Sequence, residues 1–295
     1  MDETRLESRH AVRWSDGATG SGITFRTAAP AEGDPRDDQH DIAPTTSRPA
    51  LLLIHGLAGG AWYWERFQRV FAAHGYTSHA LNLRGHHGSR PVARLGHISL
   101  RDYVEDVAEV AALLGRPVVV GHSMGGLLAQ TLMEADAVSA AVLLCPMPPR
   151  GIGFATPGLA LRQLRHLPAM LFRRPLVGSA EDMIATSLNR VPTGEQRALA
   201  ARFVPESGLV ARELSLGGLA IDAARVRVPT LVVSARDDRF FSPAVGALVA
   251  ARYHAEHRVY EGHAHFIVEE PGAEEIAGDV AAWIAMRTVA NAPTP

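Results

Sequence analysis

A strand-like run, a glycine-flanked serine and a helix-like run follow one another without a break in the middle of this chain. Residues 117–120 read Pro-Val-Val-Val, residues 121–125 read Gly-His-Ser-Met-Gly, and residues 127–133 are mostly apolar. A serine on a sharp turn between a strand and a helix takes a strained backbone conformation and projects its hydroxyl above the sheet edge. The flanking glycines lack a Cβ atom, so neighbouring backbone can approach closely. The pattern predicts a nucleophilic Ser123 at a helix N-terminus, whose N–H groups can stabilise negative charge.

Short apolar runs alternate with helix-like segments over most of the chain. Strands are predicted at residues 51–54, 77–83, 118–120, 140–144, 229–233 and 256–260, and helices at residues 62–74, 99–114 and 273–286. Ser99 is the predicted N-cap of the second helix. A weak hairpin is predicted over residues 14–27. The alternation indicates an α/β fold with a mostly parallel sheet that helices cover on both faces.

The alternation stops between residues 146 and 223. This stretch is punctuated by proline and arginine, is helical in character and contains no convincing strand. We interpret it as a helical cap inserted into an α/β core that comprises residues 1–145 and 224–295. Residues 31–49 are rich in Asp, Pro, Thr and Ser and have no apolar period, so a mobile surface loop is predicted there.

Composition excludes several classes of protein. Hydrophobic residues make up 47% of the 295 residues and charged residues 20%, and the formal net charge is −2. No block of basic residues stands out, which speaks against a nucleic-acid or anionic-membrane partner. All 29 basic residues are arginines, which excludes Schiff-base chemistry on a lysine. Cys145 is the only cysteine and is interpreted as a small buried residue rather than as part of a disulfide.

Targeting signals are not evident in the sequence. No apolar segment of a signal peptide follows the charged first residues, and no run of about 18 apolar residues occurs. A cytoplasmic protein without a membrane span is expected, as a monomer or homodimer that acts on a small molecule and needs no cofactor.

Partners for Ser123 are sought directly after other strands, because ligands and catalytic groups gather at the carboxyl ends of parallel strands. The glycine-rich residues 55–60 follow the first core strand. The backbone N–H of Leu57 in this turn can face the same oxygen as the N–H of Met124. These two groups are the predicted oxyanion hole.

Acidic and basic candidates follow the last two strands. Asp237 and Asp238 come after residues 229–233, and one of these carboxylates can orient a histidine. His263 and His265 come after residues 256–260, and either imidazole can take the serine proton as a general base. A metal site at this His-x-His pair is disfavoured, because neither a cysteine partner nor a His-Glu-x-x-His helix accompanies it.

Several segments together resemble the α/β-hydrolase superfamily, in particular its cap-bearing, esterase-like members. The similarity covers roughly residues 51–284 and is carried by HGLAGGAWYW (55–64), LNLRGHHGS (81–89), GHSMGG (121–126), ARDDRFFSP (235–243) and HAHFIVEEPG (263–272). The resemblance implies Ser123 as nucleophile and Leu57 and Met124 as oxyanion donors. It places the acid on Asp238, although Ala235 stands where the family usually has glycine.

The resemblance also decides between the two histidines and implies an activity. The catalytic histidine of the family precedes a Glu-Pro pair by a short fixed spacing, so residues 270–271 favour His265 over His263. Family members with an aspartate nucleophile act on haloalkanes or epoxides, which Ser123 argues against. The implied activity is hydrolysis of a carboxylic ester or thioester of a small hydrophobic substrate. The expected substrate-binding residues are Gly56, Trp62, Met147, Met170 and Phe172.

Two other functions remain open at this stage. The same Ser-His-Asp triad can serve acyltransfer, lactone formation, carbon–carbon cleavage or lyase chemistry, since nucleophile activation is common to all of them. A ligand-binding protein that retains the fold without catalysis is the alternative from another class.

Overall fold

An eight-stranded sheet organises the computed structural model, which describes residues 12–31, 48–154 and 156–289. In chain order, its strands are β1 (Val12–Ala18), β2 (Thr24–Pro30), β3 (Leu51–Ile54), β4 (Ser78–Leu81), β5 (Val118–His122), β6 (Ala140–Leu144), β9 (Thr230–Ala235) and β10 (Glu256–Tyr260). Their spatial order is β1-β2-β4-β3-β5-β6-β9-β10. The β1–β2 hairpin pairs antiparallel within itself and with β4, whereas every other pairing in this sheet is parallel.

The central strands are apolar on both faces. Every residue of β3, β5, β6 and β9 is buried. Alternate residues of each strand enter two separate apolar clusters, one on each side of the sheet, because successive side chains point to opposite faces. Helices cover both clusters, so the predicted α/β class with a mostly parallel sheet is confirmed.

Ten α-helices of the described ranges surround and follow these strands. They are α1 (Glu65–Ala73), α2 (Leu100–Leu113), α3 (Met124–Glu134), α4 (Pro157–Gln163), α5 (Leu167–Leu171), α6 (Ala180–Thr186), α7 (Thr193–Ala200), α8 (Gly208–Ser215), α9 (Pro243–Arg252) and α10 (Ala273–Val289). Four short 3-10 helices lie at Ala61–Trp64, Leu95–His97, Leu164–His166 and Ala223–Arg225. The predicted N-cap is found, since Ser99 and Asp102 form a reciprocal capping box at the start of α2. None of the helices in the described ranges is long and apolar enough to cross a membrane.

The stretch between β6 and β9 contains helices α4 to α8. It also contains a small antiparallel sheet of β7 (Pro175–Leu176) and β8 (Glu206–Ser207), so the prediction of no strand here was wrong. Each of these strands is only two residues long, which leaves no alternation for a sequence pattern to show. The predicted mobile loop falls mainly on residues 32–47, which lie outside the described ranges.

Candidate active site

The backbone of Ser123 is strained. Its φ of 54° and ψ of −119° lie where non-glycine residues are rarely found, and β5 and α3 meet at this single residue. A Cβ on Gly121 would lie 2.4 Å from the carbonyl oxygen of Gly125, and a Cβ on Gly125 would lie 2.2 Å from that of Ile54. Only glycine fits at either position, so the spacing of the motif follows from how tightly the turn packs against β3.

The predicted oxyanion donors lie on the wall of the cavity that contains Ser123. Met124 is the first residue of α3, and the first N–H groups of a helix have no acceptor within the helix. Leu57 lies in the turn after β3, where its N–H donates to no residue of the described ranges. Gly56 packs against the serine, since a Cβ on Gly56 would lie 3.0 Å from the Cβ of Ser123. The assignment of these two N–H groups as oxyanion donors remains a prediction.

Hydrogen bonds connect three side chains from different strand ends, in the order Asp238, His265 and Ser123. His265 Nδ1 lies 2.9 Å from Asp238 Oδ2, and His265 Nε2 lies 2.9 Å from Ser123 Oγ. Because the carboxylate can only accept, Nδ1 carries the proton and Nε2 is left as an acceptor for the serine hydroxyl. His265 is 5% exposed and Asp238 is 9% exposed, so bulk water has little access to the pair.

The residues after Asp238 fix both the carboxylate and the imidazole. Asp238 Oδ1 accepts hydrogen bonds from the backbone N–H groups of Phe240 at 2.7 Å and Phe241 at 3.0 Å. Their rings lie 4.8 Å and 5.5 Å from the His265 ring, centroid to centroid. The carboxylate therefore has one oxygen bound by backbone and the other directed at the histidine.

His122 connects the serine turn to the histidine loop. Its Nε2–H donates to the backbone carbonyl of His265 at 2.7 Å, and Tyr63 Oη lies 3.3 Å from its Nδ1. The Gly56 N–H in turn donates to the Tyr63 hydroxyl. Burial, with a contribution from the charge of His265, lowers the pKa of His122 to about 3, so this imidazole is neutral at ordinary pH. Sequence reasoning treated this residue as a variable position of the motif and missed its role.

The two alternative residues left open by the sequence have other partners. Asp237 forms an ion pair with Arg190 at the surface, and His263 Nδ1 lies 3.2 Å from Glu270 Oε2. Neither residue is hydrogen-bonded to Ser123, Asp238 or His265 through its side chain. Within the described ranges, no group of three His, Cys, Asp or Glu side chains is arranged to bind a metal ion.

A cavity of about 240 Å³ opens beside Ser123. Its wall includes residues from the core and from the stretch between β6 and β9, and is predominantly apolar. Gly56, Met147 and Met170, three of the predicted substrate-binding residues, line it. Further apolar members are Phe154, Leu159, Leu176, Met183, Phe203, Leu214 and Phe266.

Two of the predicted substrate-binding residues do not line this cavity. The side chain of Phe172 is 68% exposed, because it follows the last turn of α5 on the outer surface. Trp62 packs behind Phe203 and Phe266, with ring centroids 5.4 Å and 6.1 Å away, and donates from Nε1 to His87. The roles of both residues in substrate binding remain predictions, although neither residue contributes to the wall of this cavity.

Comparison with known protein families identifies the family of this chain. A model of the alpha/beta hydrolase family matches residues 51–277, well over half of the chain. The chain belongs to the alpha/beta hydrolase family. The resemblance inferred from the sequence motifs is thereby confirmed.

Curated relatives of this alpha/beta hydrolase include esterases and lipases. A monoacylglycerol lipase of Mycolicibacterium smegmatis is 26% identical over 252 residues, which cover 81% of this chain and 89% of the relative. The rice esterase PIR7B (Oryza sativa subsp. japonica) is 36% identical over 112 residues, which cover 36% of this chain and 41% of the relative. The chain thus spans about two fifths of the length of that esterase.

Solved structures share the fold at low sequence identity. A soluble variant of monoglyceride lipase from Saccharomyces cerevisiae, in complex with a substrate analogue, superposes with a TM-score of 0.69 at 15% identity. The match covers 94% of this chain and 95% of that structure. At this identity the likeness concerns the fold alone.

A buried carboxylate that is not hydrogen-bonded to Ser123 or His265 fixes the loop that carries Leu57. Glu206 Oε2 accepts from the N–H of Ala58 at 2.9 Å and lies 3.3 Å from His86 Nε2, while Oε1 accepts from the Tyr103 hydroxyl at 2.6 Å. Burial by itself would raise the pKa of Glu206, but the charge of His86 and these hydrogen bonds lower it to about 2. The charge of Glu206 likewise raises the pKa of His86 against the effect of burial. No sequence motif marked Glu206, because these three partners are more than 100 residues away in the sequence.

Proposed function

We propose that this alpha/beta hydrolase cleaves carboxylic esters or thioesters of small apolar acids through a covalent acyl-enzyme on Ser123. The observation that carries the proposal is the 2.9 Å approach of His265 Nε2 to Ser123 Oγ at the wall of an apolar cavity. The similarity to most of a monoacylglycerol lipase and to part of a rice esterase supports the same reaction class.

Acylation begins when the Ser123 hydroxyl attacks the ester carbonyl and gives its proton to His265 Nε2. Asp238 stabilises the imidazolium that forms, since its Oδ2 accepts from Nδ1. The N–H groups of Leu57 and Met124 bind the oxyanion of the tetrahedral intermediate, and each donor of this kind typically contributes about 3 kcal/mol. His265 then protonates the leaving alcohol or thiol, and the acyl group stays on the serine.

Deacylation uses the same groups in reverse order. His265 removes a proton from water, the hydroxide adds to the acyl carbonyl, and the oxyanion returns to the same two N–H groups. The collapse of this intermediate releases the acid and returns the proton to Ser123. Every proton transfer in the cycle goes through His265 Nε2, so the proposed reaction needs no cofactor.

Residues 146–223 act in this proposal as a cap over the acyl site. Leu159 on α4, Met170 on α5 and Met183 on α6 supply part of the apolar wall. A volume of about 240 Å³ lies below the usual range for ligand sites, which is about 300 to 1,000 Å³. Short and medium acyl chains should therefore be preferred to long ones.

The experiment is a rate comparison across p-nitrophenyl esters of increasing acyl length, from acetate through butyrate and octanoate to palmitate. We expect the highest kcat/KM at butyrate or octanoate, and no turnover above background in Ser123→Ala. Retained hydrolysis in Ser123→Ala, with the same circular dichroism spectrum as the parent protein, would refute the proposal.

A further inference from the structure

A row of leucines on the stretch between β6 and β9 faces the solvent. Residues 157–171 form an almost continuous helical run made of α4, the 3-10 helix Leu164–His166 and α5. Within it, Leu161, Leu164, Leu167 and Leu171 recur every three or four residues, a spacing that places them on one face. Their exposed fractions are 70%, 54%, 42% and 63%. We call these four residues the outer stripe.

A surface helix normally presents polar residues to solvent, whereas the outer stripe presents four leucines. An amphipathic helix buries its apolar side against the core, and the inner side of this run already does so through Leu159 and Met170, each 7% exposed at the cavity wall. The run therefore carries apolar residues on both sides. Six of the ten exposed large apolar side chains in the described ranges fall between residues 161 and 177, so the exposure is concentrated here.

Positive charge accompanies the outer stripe. Residues 137–180 contain five arginines and no acidic residue, although the whole chain has a formal net charge of −2. Arg162 and Arg165 pair with Asp182 and keep 47% and 52% of their side chains exposed. Arg173 and Arg174 follow directly after the helical run and are also exposed. This local concentration was hidden in the overall charge balance.

We propose that the outer stripe and these four arginines dock the protein onto a lipid surface that carries anionic headgroups. Leucines of an interfacial helix enter the boundary of headgroups and acyl chains, and guanidinium groups pair with headgroup phosphates. A second copy of this chain fits the face less well, because self-association would bring the same arginines together.

Docking would orient the cavity toward its substrate. Arg162 and His166, which adjoin the stripe, also line the cavity. An ester dissolved in the lipid layer then has a short path to Ser123, and this step alone rests on the proposed hydrolysis. Docking itself requires no turnover.

The test measures vesicle binding with full-length Ser123→Ala protein, so that turnover does not interfere. Vesicles of phosphatidylcholine alone and of equal parts phosphatidylcholine and phosphatidylglycerol are sedimented with the protein. We expect binding to the anionic vesicles, weakened by high salt, and much weaker binding to the neutral ones. The double variant Leu164→Ser/Leu171→Ser should lose at least about tenfold in binding, because both side chains leave the apolar phase.

The chain offers a matched control. Leu113 at the end of α2 and Leu248 on α9 are 61% and 55% exposed and lie outside residues 157–171. Leu113→Ser/Leu248→Ser removes the same number of leucines and should bind anionic vesicles like the parent. When Ser123 is left in place, both double variants should hydrolyse a soluble acetate ester at the rate of the unmodified protein.

Three results would overturn the docking proposal. The first is that the Ser123→Ala protein does not bind anionic vesicles. The second is that both double variants lose binding to the same extent. The third is that the protein binds no vesicles and instead forms a concentration-dependent dimer, which only Leu164→Ser/Leu171→Ser abolishes. Binding by a protein that hydrolyses no ester would instead refute the proposed function and leave the docking proposal intact.

Discussion

Replacing Glu206 by glutamine should destabilise the protein out of proportion to the size of the change. Oε1 accepts from the Tyr103 hydroxyl and the Ser207 N–H, whereas Oε2 accepts from the Ala58 N–H and faces His86. A glutamine amide has only one oxygen. Whichever way the amide is oriented, its NH₂ group meets donors where the carboxylate offered an acceptor.

The pKa of Glu206 gives the magnitude. It falls from the ordinary 4.5 to about 2, and this difference corresponds to about 3 to 4 kcal/mol, since each pH unit is worth about 1.4 kcal/mol. Loss of one partner of a buried ion pair typically costs about 3 to 5 kcal/mol, which agrees. Because the folded pKa lies below the unfolded one, the stabilisation is complete above pH 4.5 and is lost as the pH falls toward 2.

His86 sets the upper pH limit of the stabilisation by the Glu206–His86 pair. The pKa of His86 is raised above the ordinary 6.5, so the stabilisation that His86 contributes is present below pH 6.5. This contribution is lost as the pH rises through the pKa of the folded state. The difference between parent and Glu206→Gln should therefore be largest between pH 4.5 and 6.5.

Urea unfolding followed by circular dichroism at pH 5.5 and 8.5 measures these differences. Glu213→Gln is the matched control, because Glu213 is half-buried and its side chain accepts one hydrogen bond from the described residues. This bond comes from the Leu100 N–H at 2.7 Å, and an amide oxygen can also accept it. Its effect should stay below about 1 kcal/mol. A free energy of unfolding for Glu206→Gln within about 1 kcal/mol of the parent would refute the reasoning.

Three further outcomes are expected. Asp238→Asn should lower kcat for ester hydrolysis by about 10³ to 10⁴, while the adjacent Asp237→Asn stays within about twofold, and comparable rates for the two variants would contradict the assignment of the acid. Gly125→Ala should cost more than about 3 kcal/mol of stability, because its Cβ would lie 2.2 Å from a carbonyl oxygen of β3, whereas Gly278→Ala in α10 has open space and should gain about 0.5 to 1 kcal/mol in urea unfolding. His122, with a folded pKa of about 3 against an ordinary 6.5, should make stability fall below pH 6.5, and an Asn variant whose unfolding free energy keeps the same pH slope between 5 and 6.5 would exclude this contribution.

The strands and the serine turn were predictable because local sequence determines them. Val118 to Val120 are β-branched and fully buried, and the glycines around Ser123 are required by contacts within a few residues of one turn. Asp238 and His265 could be named as candidates because parallel strands end at one edge, which reduced the search to a few loop positions. The choice of Asp238 over Asp237 came from the family resemblance, since the residues alone left both open.

Long-range contacts explain what the sequence did not reveal. Glu206 is surrounded by Ala58, His86 and Tyr103, and nothing near it in sequence marks it as buried. Phe172 was assigned to the substrate site because it is apolar in a helical stretch, yet 68% of it is exposed. Helical spacing identifies a face, but the tertiary structure decides which face is inside.

The proposed hydrolysis depends most directly on Ser123, which must be the group that attacks a carbonyl-like electrophile. The measurement is covalent labelling of the full-length protein by a fluorophosphonate, followed by peptide mass spectrometry. We predict a single modified peptide that contains Ser123, no modification in Ser123→Ala, and much slower labelling in His265→Ala. An unlabelled parent protein, or a label on another residue that persists in Ser123→Ala, would contradict the account.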